Sequence, residues 1–163
     1  MPILLPEHLN QPSAEGDEDA GSNRLQPVCG HGRSFFFGMV GTPSQSETVT
    51  SLFRMTESAL SQGHSVTVWN CGHATGLSQT TLIRPRDYFA PKQREDFNPS
   101  TAEMIQALFR QWGSERLQWL VCRYCAEECG AVSHVPEVRV KIPFSFQYYL
   151  SAAQVSLVMG IKS

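Results

Sequence analysis

From Ser34 onward the chain repeats one order: a short apolar run of strand length, an amphipathic run of helical period, then another apolar run. RSFFFGMVG, residues 33 to 41, ends at Gly-Thr-Pro and predicts a buried strand. Ser44-Gln45-Ser46-Glu47 then has the form of a capping box, in which the serine hydroxyl and the glutamate each satisfy a free amide of the first helical turn. Val49, Leu52, Phe53, Ala59 and Leu60 fall on one face, so a helix is expected from about Gln45 to Gln62, stopped by Gly63. SVTVWNC, residues 65 to 71, is β-branched and alternating, and predicts the second strand. Two strands joined through a helix pair in parallel, because a tight hairpin can join only antiparallel neighbours.

The pattern continues. Ser100-Thr101-Ala102-Glu103 is a second capping box, followed by Ile105, Leu108, Phe109 and Trp112 on one face and by Gly113. RLQWLVC, 116 to 122, predicts a third strand, Ala126 to Cys129 one helical turn closed by Gly130, and EVRVKI, 137 to 142, a fourth strand. Ser145 is positioned to cap a helix carrying Phe146, Tyr149, Leu150 and Ala153, and VSLVMGI, 155 to 161, predicts a fifth strand. Residues 72 to 99 show no clear period and read as a long loop. The expected fold is therefore α/β: three layers, α/β/α, around a mainly parallel sheet of about five strands.

The 163 residues suffice for one domain and one core. Residues 1 to 27 are rich in Pro, Gly, Ser and acids and poor in aromatics, so they are expected to form a disordered tail, with a single domain over 28 to 163. The tail carries five acids and Arg24, a net charge of −4. The total of −2 then leaves the body at +2. That near-neutral body has no basic face for nucleic acid. No stretch approaches the roughly 18 to 20 apolar residues of a membrane helix, and MPILLPEHLNQ is too short and too interrupted for a signal peptide. The expected setting is the cytoplasm, with the five unevenly spaced cysteines reduced.

LVCRYCAEECG, 120 to 130, gathers three of those cysteines. In a parallel sheet the loops leaving the carboxyl ends of the strands meet on one edge, where ligands usually bind. Cys71 and His73 leave the second strand; Cys122 and Cys125 leave the third. Cys122 is expected at the strand tip and Cys125 near the N-terminus of the short helix, where free amides, with Arg123 adding to them, favour a thiolate. The bland alternative is that these cysteines are small buried hydrophobes. Two chemical readings follow from spacing. Cys122, Cys125 and Cys129 stand as C-x2-C-x3-C, and Cys29-Gly-His31 or Cys71-Gly-His73 could complete a zinc or iron-sulfur shell. Alternatively, C-x2-C is a dithiol redox motif, which wants a longer helix than the single turn expected here.

A third reading rests on resemblance. SFFFGMVGTPSQSETVTSLFRMTESALSQGHSVTVWNCG, LVCRYCAEECGAV and the closing FQYYLSAAQVSLVMG together resemble the DsrE/DsrF-like family of sulfur-relay proteins, over about five sixths of the chain. In that family a cysteine directly after the third strand accepts sulfane sulfur as a persulfide and passes it to a partner. Cys122 matches that position. The resemblance implies a sulfur carrier or sulfurtransferase-like protein needing no cofactor, with donor and acceptor proteins as partners and a trimeric or hexameric assembly of like chains. Cys122 would be the acceptor, Cys125 a second or resolving thiol, and Arg123, Cys71, His73 and Cys129 accessory. Where the family often has Arg-Gly this chain has Cys129-Gly130, and several members lack a counterpart of Cys125. Two other classes stand beside it: a non-catalytic zinc or iron-sulfur module, and a small-molecule binder sharing the fold. His64 and His134 read as solvated loop histidines, and Trp69, Trp112 and Trp119 as core or subunit-contact residues.

Overall fold

A computed structural model describes residues 32–41, 46–81 and 99–160. The expected tail, Cys29, His31, Ser44 of the first capping box and most of the 72–99 loop lie outside the described residues.

Five strands form one sheet: β1 (Ser34–Val40), β2 (Ser65–Cys71), β3 (Leu117–Cys122), β4 (Arg139–Lys141) and β5 (Val155–Gly160). Their order is β4-β3-β2-β1-β5, and every pairing is parallel. Parallel pairing sets the registers that matter for the site, with Val40 opposite Cys71 and Cys122 opposite Lys141. The helices are α1 (Ser46–Ser61), α2 (Thr101–Trp112), α3 (Arg123–Glu128) and α4 (Ser145–Ala152).

Side chains alternate between the two faces of the sheet, because successive strand residues point to opposite sides. Phe37 and Met39 of β1, Val66 and Val68 of β2, and Leu117, Trp119 and Val121 of β3 share one core with α1 and α2. That core receives Val49, Leu52, Phe53, Ala59 and Leu60 from α1, the apolar face expected from the sequence. From α2 it receives Ile105, Leu108 and Phe109, and Trp119 stacks on Phe53 at 5.6 Å. The opposite face is smaller. Phe36, Trp69, Leu120 and Cys122 meet Phe146, Tyr149, Leu150 and Ala153 from the α4 segment, with Phe146 standing edge-on to both Phe36 and Trp69.

Several local expectations are corrected. The first quarter of the supposed 72–99 loop is a 3-10 helix, Gly72–Ser78, that buries Ala74, Thr75, Leu77 and Ser78. Too short to show a period, it is held by packing rather than propensity. The short helix after β3 starts at Arg123, three residues before the expected turn, so Cys125 lies inside α3. The fourth strand shrinks to three edge residues. Ser145 does not cap α4: the N-cap is Phe144, which makes no side-chain capping hydrogen bond. His64 is no free loop histidine, since its Nδ1 accepts the Arg33 amide at 3.2 Å and its ring stacks on Phe35. His134 bonds Ser78 Oγ at 2.9 Å, and burial lowers its pKa. The Ser100–Glu103 capping box is present in full, and Gly63 turns the chain out of α1 with φ 88°, a region open mainly to glycine.

Candidate thiol site

Cys71 ends β2 and Cys122 ends β3, two adjacent strands running the same way, so their side chains emerge together at the carboxyl edge. Both project toward the smaller face: Cys122 lies in its core, and Cys71 and Cys125 pack against it. Cys122 passes directly into α3, which brings Cys125 back over the strand tips. The three Sγ atoms lie within 4.8 Å of one another, and Cys71 Sγ is 3.2 Å from Cys125 Sγ. This juxtaposition of Cys71 with the α3 thiols comes from sheet register. No spacing motif in the sequence announces it.

Cys71 and Cys122 border a cavity of about 240 Å³ lined also by Val40, Trp69, Pro143 and Phe146. Four of these are apolar side chains, so the two sulfurs face a space with few partners for water. Cys122 is only 2 % exposed, and its approach is through this cavity. The sequence places it at a strand tip on the carboxyl edge of the sheet. The structure closes that edge with α3 and the Pro143–Phe146 segment, since a strand tip that runs straight into a helix is covered by it.

The three thiols differ in acidity. Burial pushes Cys71 up to about 12, helped by its hydrogen bond to Cys125 and by the charges of Cys122 and Cys125. Cys122 is also raised, chiefly by burial, while the nearby Cys125 amide pulls it back. Burial acts on Cys125 in the same direction, but the Gly72 amide and the Cys71 and Cys122 thiols all favour its charged form, and they bring its pKa below the ordinary thiol value. One negative charge in the cluster therefore settles first on Cys125. Gly72 turns with φ 62°, and a side chain there would meet the Gly41 amide nitrogen at 3.3 Å.

The other expected members lie apart. Cys129, at the end of α3, is half-buried and outside the three-sulfur group; burial and the Glu128 charge raise its pKa. The C-x2-C-x3-C spacing thus does not describe the gathered set: one turn of α3 carries Cys129 off the edge, and β2 supplies Cys71 instead. His73 is exposed in the 3-10 helix. Arg123 reaches into solvent and pairs with Glu127 at 2.8 Å, so its charge is engaged away from the sulfurs.

A parallel three-layer α/β domain with a thiol cluster at the carboxyl edge of its sheet is the class that fold and site define. No protein-family profile matches the chain, and no curated protein matches it in sequence. Among solved structures the chain is similar to the crystal structure of the YchN protein from E. coli, with a TM-score of 0.58 and 14 % identity. The alignment covers 78 % of this chain and 99 % of that one. At that identity the likeness is one of fold, and it supports the parallel three-layer α/β/α architecture expected from the sequence.

Proposed function

We propose that this chain is a sulfane-sulfur carrier in which Cys122 takes up the sulfur and Cys125 assists. The observation that carries the reading is the convergence of three sulfurs beside a small apolar cavity reached by Cys122. A donor persulfide or polysulfide enters the cavity. As Cys122 Sγ attacks the donor's terminal sulfur, its proton passes to the Cys125 thiolate, the sulfur-sulfur bond of the donor breaks, and the donor leaves as a thiolate. Cys122 then holds an S-SH group. An acceptor thiolate attacks that outer sulfur, the new bond forms there, and Cys122 leaves with the electron pair and recovers the proton from Cys125. Attack by Cys122 suits its position, and proton transfer suits the acidity of Cys125. The cavity favours a small donor over a protein thiol at the loading step.

Donor and acceptor molecules, a reducing compartment such as the cytoplasm, and assembly with further copies complete the proposal. Among the described residues no helix is long and apolar enough to cross a membrane. Phe144 and Tyr148 of the α4 segment are 80 % and 69 % exposed, and Leu157 and Val158 of edge strand β5 are also exposed, an apolar surface suited to a second copy.

Intact mass before and after polysulfide, then after reductant, tests the reading. The expected result is a reductant-reversible gain of sulfur that disappears in Cys122→Ser, while Cys125→Ser still takes one sulfur but more slowly. A Cys122→Ser protein that folds and still gains one labile sulfur, lost in Cys125→Ser, reverses the two roles. No gain in the parent chain rejects the carrier.

A further inference from the structure

The three sulfurs come from three elements, the ends of β2 and β3 and the interior of α3. They approach within 4.8 Å of one another, with Cys71 Sγ and Cys125 Sγ 3.2 Å apart. An ion bound by thiolates at about 2.3 Å holds its sulfurs roughly 3.5 to 4 Å apart. Small side-chain rotations therefore suffice, with no movement of the sheet that fixes Cys71 and Cys122. The donor set is soft and uniform, which selects thiophilic ions. Among the described residues, His73 and Cys129 are outside it and no carboxylate belongs to it.

Charge and coordination number narrow the choice. Three thiolates around monovalent copper carry −2, and around zinc −1. The adjoining cavity is lined by Val40, Trp69, Pro143 and Phe146, and an uncompensated charge in such surroundings is costly. Among the described residues Glu128 adds its own negative charge beside Cys125, which makes a further negative charge worse. Zinc also needs a fourth ligand, which the described apolar walls do not supply. A trivalent ion of the arsenic kind forms three bonds to sulfur, ends neutral, and needs no fourth ligand, because its lone pair can face the cavity.

We propose that Cys71, Cys122 and Cys125 form a three-sulfur binding site for trivalent arsenic. Arsenous acid, As(OH)3, reacts with three thiols to give As(S-Cys)3 and three waters. Three As–O bonds and three S–H bonds break, three As–S bonds and three O–H bonds form, and nothing is oxidised or reduced. The thiol protons leave in water, and a Cys125 already ionised takes one proton from solvent, so binding does not improve as pH rises, whereas a divalent metal must expel protons and binds better at higher pH.

The test uses the full reduced chain and arsenite as the probe. Intact mass should show one arsenic gained with three hydrogens lost, and peptide mapping after alkylation should show Cys71, Cys122 and Cys125 protected while Cys129 reacts. Cys71→Ser, Cys122→Ser and Cys125→Ser should each weaken binding at least tenfold; Cys129→Ser and His73→Ala should bind as the parent does. The mapping needs no variant, so it decides even if a substitution fails to fold. Absence of binding, an adduct that retains a hydroxyl, protection of Cys129 in place of Cys71, or preferential uptake of zinc overturns the proposal. Failure of persulfide formation is a separate result, because sulfur loading needs one nucleophilic thiol and arsenic needs three. If both readings hold, bound arsenite should block sulfur loading.

Discussion

At Cys125, three donors, the Gly72 amide and the Cys71 and Cys122 thiols, stabilise a charge that burial alone would suppress. A lowered pKa means that the thiolate is present at lower pH, so alkylation of Cys125 should reach its plateau below the range of an ordinary thiol. Cys71, pushed up to about 12, should remain nearly inert across that range. Alkylation followed peptide by peptide against pH measures both. Replacing Cys71 by Ala removes one donor, and the Cys125 profile should then move to higher pH; a profile that stays in place would show that the Gly72 amide dominates. Cys122 was legible in the sequence as the residue ending a strand. The acidity order was not, because it depends on which groups from other elements surround each sulfur.

Among the elements, the 3-10 helix has the largest consequence for the site, since its first residue both turns the chain and donates to Cys125. A Gly72→Ala chain must hold a side chain at φ 62° against the Gly41 amide. The expected loss of stability is about 1–2 kcal/mol, together with a shift of Cys125 alkylation to higher pH, read by denaturant titration and the same alkylation series. The α2 capping box offers a prediction away from the thiols. Ser100 Oγ accepts the Glu103 amide at 3.3 Å, and Glu103 Oε2 accepts the Ser100 amide at 2.7 Å. Ser100→Ala should cost about 1 kcal/mol and lower the thermal midpoint by roughly 2–5 °C, with sulfur loading unchanged. That cap was readable from four residues because every group in it is local. The 3-10 helix was not, since tertiary contacts hold it.

In the whole molecule the two faces of the sheet are unequal: α1 and α2 build a large core on one, while α4, which buries none of its residues, covers the other thinly. The exposed Phe144 and Tyr148 lie on this thin side, close to Pro143 and Phe146 of the cavity. If further copies cover that surface, light scattering should give a mass above the 18.2 kDa of one chain. Phe144→Asp combined with Tyr148→Asp should then return it to a single chain, with the fold retained by circular dichroism. A parent protein already monomeric at working concentration would leave the surface to another partner and refute self-assembly.

The sequence by itself determined the class of fold. Strand-length apolar runs alternating with helical periods permit little besides a parallel α/β sheet, and that topology alone sends Cys71 and Cys122 to one edge. Only the tertiary structure decided which sulfurs meet. Whether α3 starts at Arg123 or Ala126 rotates Cys125 and Cys129 relative to the strand tips by most of a helical turn, and helix boundaries after a strand depend on packing that one sequence does not display. The spacing of Cys122, Cys125 and Cys129 described neighbours along the chain. Cys71 joins the first two, and Cys129 does not, because parallel strands place residues fifty apart side by side, while four residues of helix carry Cys129 about 6 Å further along the axis, away from the strand tips.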